Sequence, residues 1–173
     1  LESWFGACGE GIVPLDDVLL RREPSTWSRE ERRRWREESQ RLGLKLVVRL
    51  GEAGRQVGVL DDQGRAIAST AWLVRLAEQL LHGASRREVV ASAELPPMAR
   101  GRLAALGAEV LVSDPHHEAL VGRLLESEAV LAADGVGRIW LRDHYPVCDG
   151  LVTLLLLMRL AGETPGGVAH WGA

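Results

Sequence analysis

Four short segments of the sequence contain side chains of the kinds that perform chemistry in proteins. Carboxylates, imidazoles and thiols serve as acid–base groups, metal ligands and nucleophiles. The four segments are the run from Asp114 to Glu118, the pairs Asp61–Asp62 and Asp143–His144, and the single thiol of Cys148. Each of them has to be weighed against a structural role for the same residues.

The run from Asp114 to Glu118 contains two adjacent histidines, which could suggest a metal site. Neighbouring residues of a helix do not face each other, however, and no second cluster in the sequence completes a ligand shell. We therefore predict surface or capping roles for His116 and His117. Asp114 before Pro115 is typical of a helix N-cap with proline at the first helical position.

The other three segments also favour structural roles. Asp61 and Asp62 stand at a predicted hairpin tip, where Asp is common because it hydrogen-bonds its own backbone. Asp143 and His144 could form an acid–base pair, but they have no evident substrate, so we interpret them as structural. Cys148 stands at the start of a predicted helix, yet no His or Asn arrangement in the sequence would make it a nucleophile.

Composition excludes several classes of function. With 21 Lys and Arg against 24 Asp and Glu, the net charge is -3, so nucleic acid and anionic lipid are disfavoured partners. Cys8 and Cys148 are far apart and form no disulfide framework or zinc motif, which favours a reducing cytoplasm. The apolar run from Leu151 to Met158 is shorter than the roughly 20 residues that span a bilayer, so we predict a core helix. The first ten residues show no secretory signal.

The hydrophobic pattern predicts a charged, solvated helix followed by alternating strands and helices. Ser28 and Glu31 form a capping box that begins the charged helix, and Gly43 ends it. Strand and helix signals then alternate, which is typical of an α/β fold with a largely parallel sheet. The predicted order is a strand at 44–50, a hairpin about 61–64, a helix capped by Ser69 or Thr70, strand–helix pairs between 88 and 127, a strand pair about 133–137 and a helix after Asp149.

From about Leu44 to Gly162 the chain resembles the third domain of the α-D-phosphohexomutases, the phosphoglucomutase and phosphomannomutase family. VGVLDDQGRAI at Val57–Ile67 is similar to the family's VGVVDEDGRVI. RDHYPVCDGLVTLLLLMRLAG at Arg142–Gly162 resembles its RDHxPTGDGLLTALxLL. The resemblance implies a three-layer domain with a mixed, mostly parallel sheet flanked by helices, as in the family's first three domains.

The resemblance also implies a division of the chain. Residues 1–43 would be a connector and charged helix at the end of a preceding domain, 44–162 the domain itself, and 163–173 a frayed tail. The family's enzymes have four domains, of which this chain matches about one. The first domain, with the phosphorylated serine, and the fourth, with a phosphate-gripping loop, would lie outside it.

In the family a DGDGDR loop holds Mg²⁺ through three aspartates, and here the matching loop reads GEAGRQ. The aspartates fall on Gly51, Ala53 and Arg55, and the following arginine falls on Gln56. Glu52 is one residue out of phase, and in an extended loop its side chain would point to the opposite side. We therefore expect no metal and no cofactor here, although active family members use Mg²⁺.

The family's sugar-binding GEESGH loop corresponds to ADGVGR at residues 133–138. Asp134 is the remaining acid, Gly135 follows it, and Val136 replaces a serine with a side chain that cannot hydrogen-bond. A third loop aligns with residues 113–118, where Glu118 takes a position that is basic in the family. Arg55 and Arg138 are the candidate phosphate contacts.

These changes favour a non-catalytic domain, a pseudoenzyme, that docks or regulates within a larger sugar-phosphate or sugar-nucleotide protein. Its partners would then be flanking domains or another protein. One alternative is a fragment of a divergent phosphoglucomutase or phosphomannomutase, an intramolecular phosphotransferase in which Arg55 replaces the charge of the metal. A second is a domain that senses a hexose phosphate through Arg55 and Arg138. Trp4, Trp27 and Trp171 could anchor a partner, since Trp is enriched at interfaces.

Overall fold

A computed structural model of the protein describes residues 27–144, 147–164 and 168–172. Within these ranges the chain forms five α-helices, seven strands and two short 3₁₀ helices. The helices are α1 (Arg29–Leu42), α2 (Ser69–Leu81), α3 (Pro97–Ala105), α4 (His117–Glu126) and α5 (Gly150–Glu163). The strands are β1 (Leu46–Gly51), β2 (Gln56–Asp61), β3 (Ala66–Ile67), β4 (Glu88–Ser92), β5 (Glu109–Ser113), β6 (Leu131–Ala133) and β7 (Ile139–Leu141). The 3₁₀ helices are Arg142–His144 and Val168–Gly172.

A four-stranded sheet in the order β5-β4-β6-β7 forms the centre of the fold. The first three strands are parallel and β7 is antiparallel to β6. Side chains of β4 alternate between the two faces, because successive strand residues point to opposite sides. Val89 and Ala91 pack in a core with α2, α3 and α5, whereas Val90 packs with Leu120 of α4. The predicted α/β class, with a mixed and mostly parallel sheet covered by helices on both faces, is confirmed.

A second, antiparallel sheet in the order β1-β2-β3 adjoins the first. The backbone N–H of Val57 on β2 donates to the carbonyl of Gly137, just before β7, at 2.9 Å. Gly137 has a φ of 103°, and a Cβ there would approach the Val57 carbonyl oxygen more closely than real contacts allow. Glycine is therefore required where the two sheets meet.

Helix α1 has the two ends that the sequence predicts. Ser28 Oγ accepts from the N–H of Glu31 at 3.1 Å, Glu31 Oε2 accepts from the N–H of Ser28 at 2.6 Å, and Gly43 ends the helix in the left-handed region. One face of this helix is nevertheless buried against β1. The guanidinium of Arg49 lies 2.6 Å from Glu31 Oε1 and 3.8 Å from the ring centre of Trp27.

The predicted frayed tail is wrong for the part of it that the structure describes. Val168 and Trp171 are buried, with exposures of 1% and 2%, and belong to the main core. Their 3₁₀ helix packs against α2 and β3. An apolar residue at every third position in such a short segment is too weak a pattern to reveal this packing before the surrounding core is known.

Two predicted helix caps are also wrong. Helix α2 begins at Ser69 itself, so its N-cap is Ala68, which provides no side-chain acceptor. Helix α4 has its N-cap at His116 rather than at Asp114. Asp114 instead accepts from the N–H of His116 at 3.1 Å, which forms an Asx turn just before the helix begins.

Within the described ranges, no helix combines the length and the apolar character that crossing a bilayer would require.

We predict that the Glu31–Arg49 pair makes stability depend on pH at the acid end of the range. Burial raises the pKa of Glu31, but hydrogen bonds from Ser28 and Arg49 outweigh it and lower the pKa to about 2 from an ordinary 4.5. The carboxylate therefore stabilises the fold fully above 4.5, and this contribution is lost as pH falls through about 2. Its size is on the order of 3 kcal/mol.

The measurement is denaturant unfolding at a series of pH values for the native chain and for Glu31→Gln. The variant should lose stability at neutral pH and show a flatter dependence in the acid range. Glu30→Gln is the matched control, since Glu30 is an exposed neighbour in the same helical turn. Identical pH profiles for Glu31→Gln and the native chain would rule out the proposed linkage.

Candidate functional site

Three segments that carry the predicted site residues meet at one edge of the molecule, which we call the loop edge. They are the β1–β2 turn at 51–56, the β6–β7 turn at 133–138 and the first turn of α5. Gln56 Nε2 donates to the carbonyl of Val136 at 2.7 Å. The N–H of Gly150 donates to the carbonyl of Gly54 at 2.6 Å. The structure therefore brings the predicted metal loop and the predicted sugar loop together.

The β1–β2 turn is left-handed, not extended as we expected. The carbonyl of Gly51 accepts from the N–H groups of Gly54 at 2.9 Å and Arg55 at 3.0 Å. Glu52 and Ala53 have φ values of 48° and 55°, a region that residues with a Cβ rarely adopt. Each such residue costs roughly 1–2 kcal/mol, so this turn stores backbone strain.

The residues of this turn do not fit Mg²⁺. A hard divalent cation requires several oxygen ligands, usually including carboxylates. The side chains of Gly51 and Ala53 offer no ligand atom, and Arg55 offers an exposed cation. The carboxylate of Glu52 lies 3.4 Å from the guanidinium of Arg138. In the part of the chain that the structure describes, no group of three or more His, Cys, Asp or Glu could hold a metal ion.

In the predicted sugar loop, the one acidic side chain, that of Asp134, stabilises the turn itself. Asp134 is buried, and its Oδ1 accepts from the backbone N–H groups of Val136 at 2.9 Å and Arg138 at 3.2 Å. Its Oδ2 accepts from the Arg138 side chain in a short ion pair. Gly135 has a φ of 82°, and a Cβ there would press on Leu95. Asp134 is therefore a turn-forming residue whose carboxylate is already occupied.

The two predicted phosphate contacts have different environments. Burial lowers the pKa of Arg138, but the hydrogen bond and charge of Asp134, together with the charge of Glu52, raise it above its ordinary value. The positive charge of Arg138 is thus compensated by two acids of the chain itself. Arg55 is exposed, and its Nε donates to the carbonyl of Glu52 at 3.0 Å.

Three residues at the loop edge have roles that sequence reasoning missed. Gln56 is 3% exposed and bridges the loops, and its Oε1 has no hydrogen-bond partner within the described chain. Nothing in the local pattern of the sequence indicates this bridge, since its acceptor, Val136, is 80 residues away. Asp134 and Arg138 form an ion pair across the β6–β7 turn. The sequence does contain a signal for this pair, because two opposite charges four residues apart on either side of a predicted turn face each other.

Cys148 is buried next to these charges. Burial raises the pKa of its thiol, while the nearby cations Arg55 and Arg138 oppose that shift without cancelling it. Because a thiolate is the nucleophilic form, a raised pKa makes this thiol less reactive. The structural role predicted for Cys148 agrees with its place in the core beneath α4, beside Trp140.

The remaining acidic candidates serve turns and caps. Asp61 Oδ1 accepts from the N–H of Gln63 at 2.9 Å and of Arg65 at 2.8 Å, which confirms the predicted turn chemistry. Asp149 caps α5 by accepting from the N–H of Leu151 at 2.8 Å. Burial raises the pKa of Asp149, but backbone hydrogen bonds and His144 lower it below its ordinary value.

The histidines do not form a metal site with the acids beside them. His144 Nε2 lies 3.2 Å from Asp149 Oδ2, so its partner is not Asp143. His117 Nδ1 accepts from the indole N–H of Trp140 at 3.2 Å. His116 is exposed and has Asp114 at 3.5 Å.

The solved structures that share this fold include proteins named as members of the phosphohexomutase families. A phosphoglucomutase/phosphomannomutase family protein from Burkholderia thailandensis matches with a TM-score of 0.66 and 21% identity, over 87% of this chain and 32% of that one. A putative phosphomannomutase from Thermus thermophilus matches with a TM-score of 0.63 and 20% identity, over 67% of this chain and 26% of that one. An N-acetylglucosamine-phosphate mutase of the alpha-D-phosphohexomutase superfamily matches with a TM-score of 0.56 and 10% identity, over 73% of this chain and 33% of that one.

The chain therefore has the fold of a phosphohexomutase domain. It spans between 26% and 33% of the length of these three structures. No protein-family model matches the chain, and neither does any curated protein sequence.

We predict that Ala53→Gly stabilises the protein by about 1 kcal/mol, because glycine adopts the left-handed region without a steric penalty. The measurement is the free energy of unfolding in denaturant. Ala66→Gly is the control, since Ala66 is exposed on β3 and has no positive φ, so glycine there should destabilise. A loss of stability in Ala53→Gly would contradict the left-handed turn.

Removing the side-chain charge of Arg138 should destabilise the protein by about 2 kcal/mol, because it leaves the buried carboxylate of Asp134 without its counter-ion. The test compares Arg138→Leu with Asp134→Asn/Arg138→Leu, which should recover part of the loss because no buried charge remains. Arg75→Leu is the control, since it removes the exposed ion pair with Glu78 and should change stability little. Equal effects of the Arg138 and Arg75 variants would contradict a buried network.

Proposed function

We propose that this chain is a non-catalytic phosphohexomutase-like domain. It acts as a docking or regulatory module of a larger protein of sugar-phosphate or sugar-nucleotide metabolism. One observation carries the proposal: the acids and the arginine at the loop edge bind one another. Asp134 and Glu52 both pair with Arg138, so a ligand would have to compete with interactions inside the chain.

The apolar surface beside the loop edge supports a docking role. Val136, Val147 and Leu151 expose 44%, 51% and 46% of their areas. Val136 lies in the sugar loop itself, and Leu151 follows the residue that bonds to the metal loop. Hexose hydroxyls require hydrogen-bond partners, whereas exposed apolar side chains are suited to contact with protein. In the proposed division, residues 44–162 form the docking domain and 1–43 join it to a preceding domain.

The tryptophans proposed as anchors differ in their availability. Trp171 is buried in the chain's own core, so it is unavailable to a partner. Trp27 is half-buried and stacks on Arg49, which leaves part of its indole for a neighbouring domain. Trp4 lies outside the described residues.

A divergent mutase is the second candidate, and the exposed guanidinium of Arg55 is the observation in its favour. An arginine can bind a phosphoryl group in a bidentate manner, but it cannot bridge oxygens as a metal does. The third candidate, a hexose-phosphate sensor, requires Arg138 to leave Asp134 and Glu52. Breaking a partly buried pair makes that arrangement unfavourable. We place the protein in the cytoplasm as part of the same proposal.

The test measures Mg²⁺ binding by calorimetry and mutase activity on glucose 1-phosphate and mannose 1-phosphate. We expect no Mg²⁺ binding by the native chain and no turnover by the full-length parent protein. The matched variant is Gly51→Asp/Ala53→Asp/Arg55→Asp. It introduces three carboxylates at positions whose backbone conformation is compatible with aspartate. Gly51 has no positive φ, and Asp tolerates the left-handed region at position 53. This variant should bind Mg²⁺ measurably, which shows that the assay can detect a functional loop.

Three results would count against the proposal. Tight Mg²⁺ binding by the native chain would contradict the argument from the loop residues. Turnover of a hexose 1-phosphate by the full-length parent protein that disappears in Arg55→Ala would favour the divergent mutase. A midpoint of thermal unfolding that rises with hexose phosphate would favour the sensor, because a ligand of the folded state must raise it.

A further inference from the structure

Strand β5 forms one edge of the four-stranded sheet, next to β4. The N–H of Glu109, the first residue of β5, donates to the carbonyl of Arg87 at 2.9 Å, on the side of β4. The backbone groups of successive strand residues point alternately to the two sides of the strand. Leu111 therefore also bonds towards β4, whereas Val110 and Val112 direct their N–H and carbonyl groups away from the sheet.

The outer side of β5 lacks the features that usually protect a sheet edge. In the part of the chain that the structure describes, no strand pairs with this side. Proteins commonly protect an edge with lysine, proline, a bulge or a covering segment. The centre of β5 reads Val-Leu-Val at 110–112, and its pairing with β4 is continuous from Glu109 to Ser113, so it has no bulge. Such an edge is a template for pairing with another strand.

Apolar side chains lie beside this edge on both faces of the sheet. Val112 exposes 55% of its area on the face where Val110 packs against the main core. On the opposite face, Leu111 and Val121 of α4 pack against the cluster beneath α4. Leu125, one helical turn after Val121, exposes 48% of its area. Exposed apolar surface beside an open strand edge indicates contact with protein.

The edge is complementary to a second copy of itself, because Val-Leu-Val reads the same in both directions. In an antiparallel pair centred on Leu111, Val110 of one copy lies opposite Val112 of the other, and the two exchange their outward N–H and carbonyl groups. Glu109 lies opposite the neutral Ser113, so no like charges oppose each other. The two copies are then related by a two-fold axis, the commonest symmetry of oligomers.

We propose that β5 pairs with β5 of a second copy of this chain and joins the two four-stranded sheets into one. A contact centred on one short strand is small, below the roughly 1,200 Å² of a standard interface, so the dimer is weak and depends on concentration. The proposal goes beyond the docking role and does not depend on it, since no residue of β5 belongs to the predicted metal loop or sugar loop.

The test measures the molar mass of the full chain by sedimentation equilibrium at concentrations from about 1 µM to 1 mM. We expect the mass to rise with concentration by up to twofold. Val112→Pro should remain a monomer, because it removes an outward N–H without removing a bond to β4. Val112→Thr is the matched control, since it keeps the N–H and the branched shape and should still dimerise.

Two substitutions at the half-buried Ser113 test the register and the identity of the partner. Ser113→Lys places a cation opposite Glu109 of the second copy, whereas Ser113→Glu places a like charge there. Each pair occurs twice in a symmetric dimer, so we expect association about fivefold stronger with Lys and about fivefold weaker with Glu. An effect on the fold alone would not reverse with the sign of the charge.

Three results would overturn the proposal. The first is a monomer mass at every concentration, which would leave the edge to a different protein or to no partner. The second is a dimer that persists in Val112→Pro. The third is a pair of position-113 variants that shift association in the same direction or leave it unchanged.

Discussion

Two backbone hydrogen bonds between segments far apart in the chain hold the loop edge together. One joins Val57 to Gly137 and couples the antiparallel sheet to the four-stranded sheet. The other joins Gly150 to Gly54 and seats the start of α5 on the β1–β2 turn. Both depend on glycine, because a Cβ at Gly137 or Gly150 would collide with the carbonyl oxygen opposite. This close approach fixes the positions of the β1–β2 turn, the β6–β7 turn and the start of α5 relative to one another.

The charges at this edge satisfy one another within the chain. A buried carboxylate requires hydrogen bonds or a counter-ion, and Asp134 has both. Arg138 also reaches Glu52, so the two loops are linked by charge as well as by the Gln56 bridge. The charged groups of Glu52, Asp134 and Arg138 are therefore occupied in stabilising the loops.

The order of elements and the fold class could be predicted from the sequence, because the signals for them are local. The capping box at Ser28, the stop at Gly43 and the hairpin chemistry of Asp61 all operate within a few residues of the chain. Predictions failed where the deciding contact is distant. The 3₁₀ helix with Trp171 was predicted to be frayed, but it fills a gap in the core between α2 and β3.

The predictions for the candidate site divide in the same way, into those that depend on residue type and those that depend on distant contacts. The sequence by itself determined that Gly51, Ala53 and Arg55 carry no side-chain carboxylate, because that conclusion depends on residue type alone. Their alignment with a metal loop is a prediction that rests on the resemblance to the phosphohexomutases. Tertiary structure decided that the turn is left-handed and that Glu52 and Asp134 share Arg138. These features arise from contacts between residues many positions apart, and their geometry is settled only when the two sheets pack together.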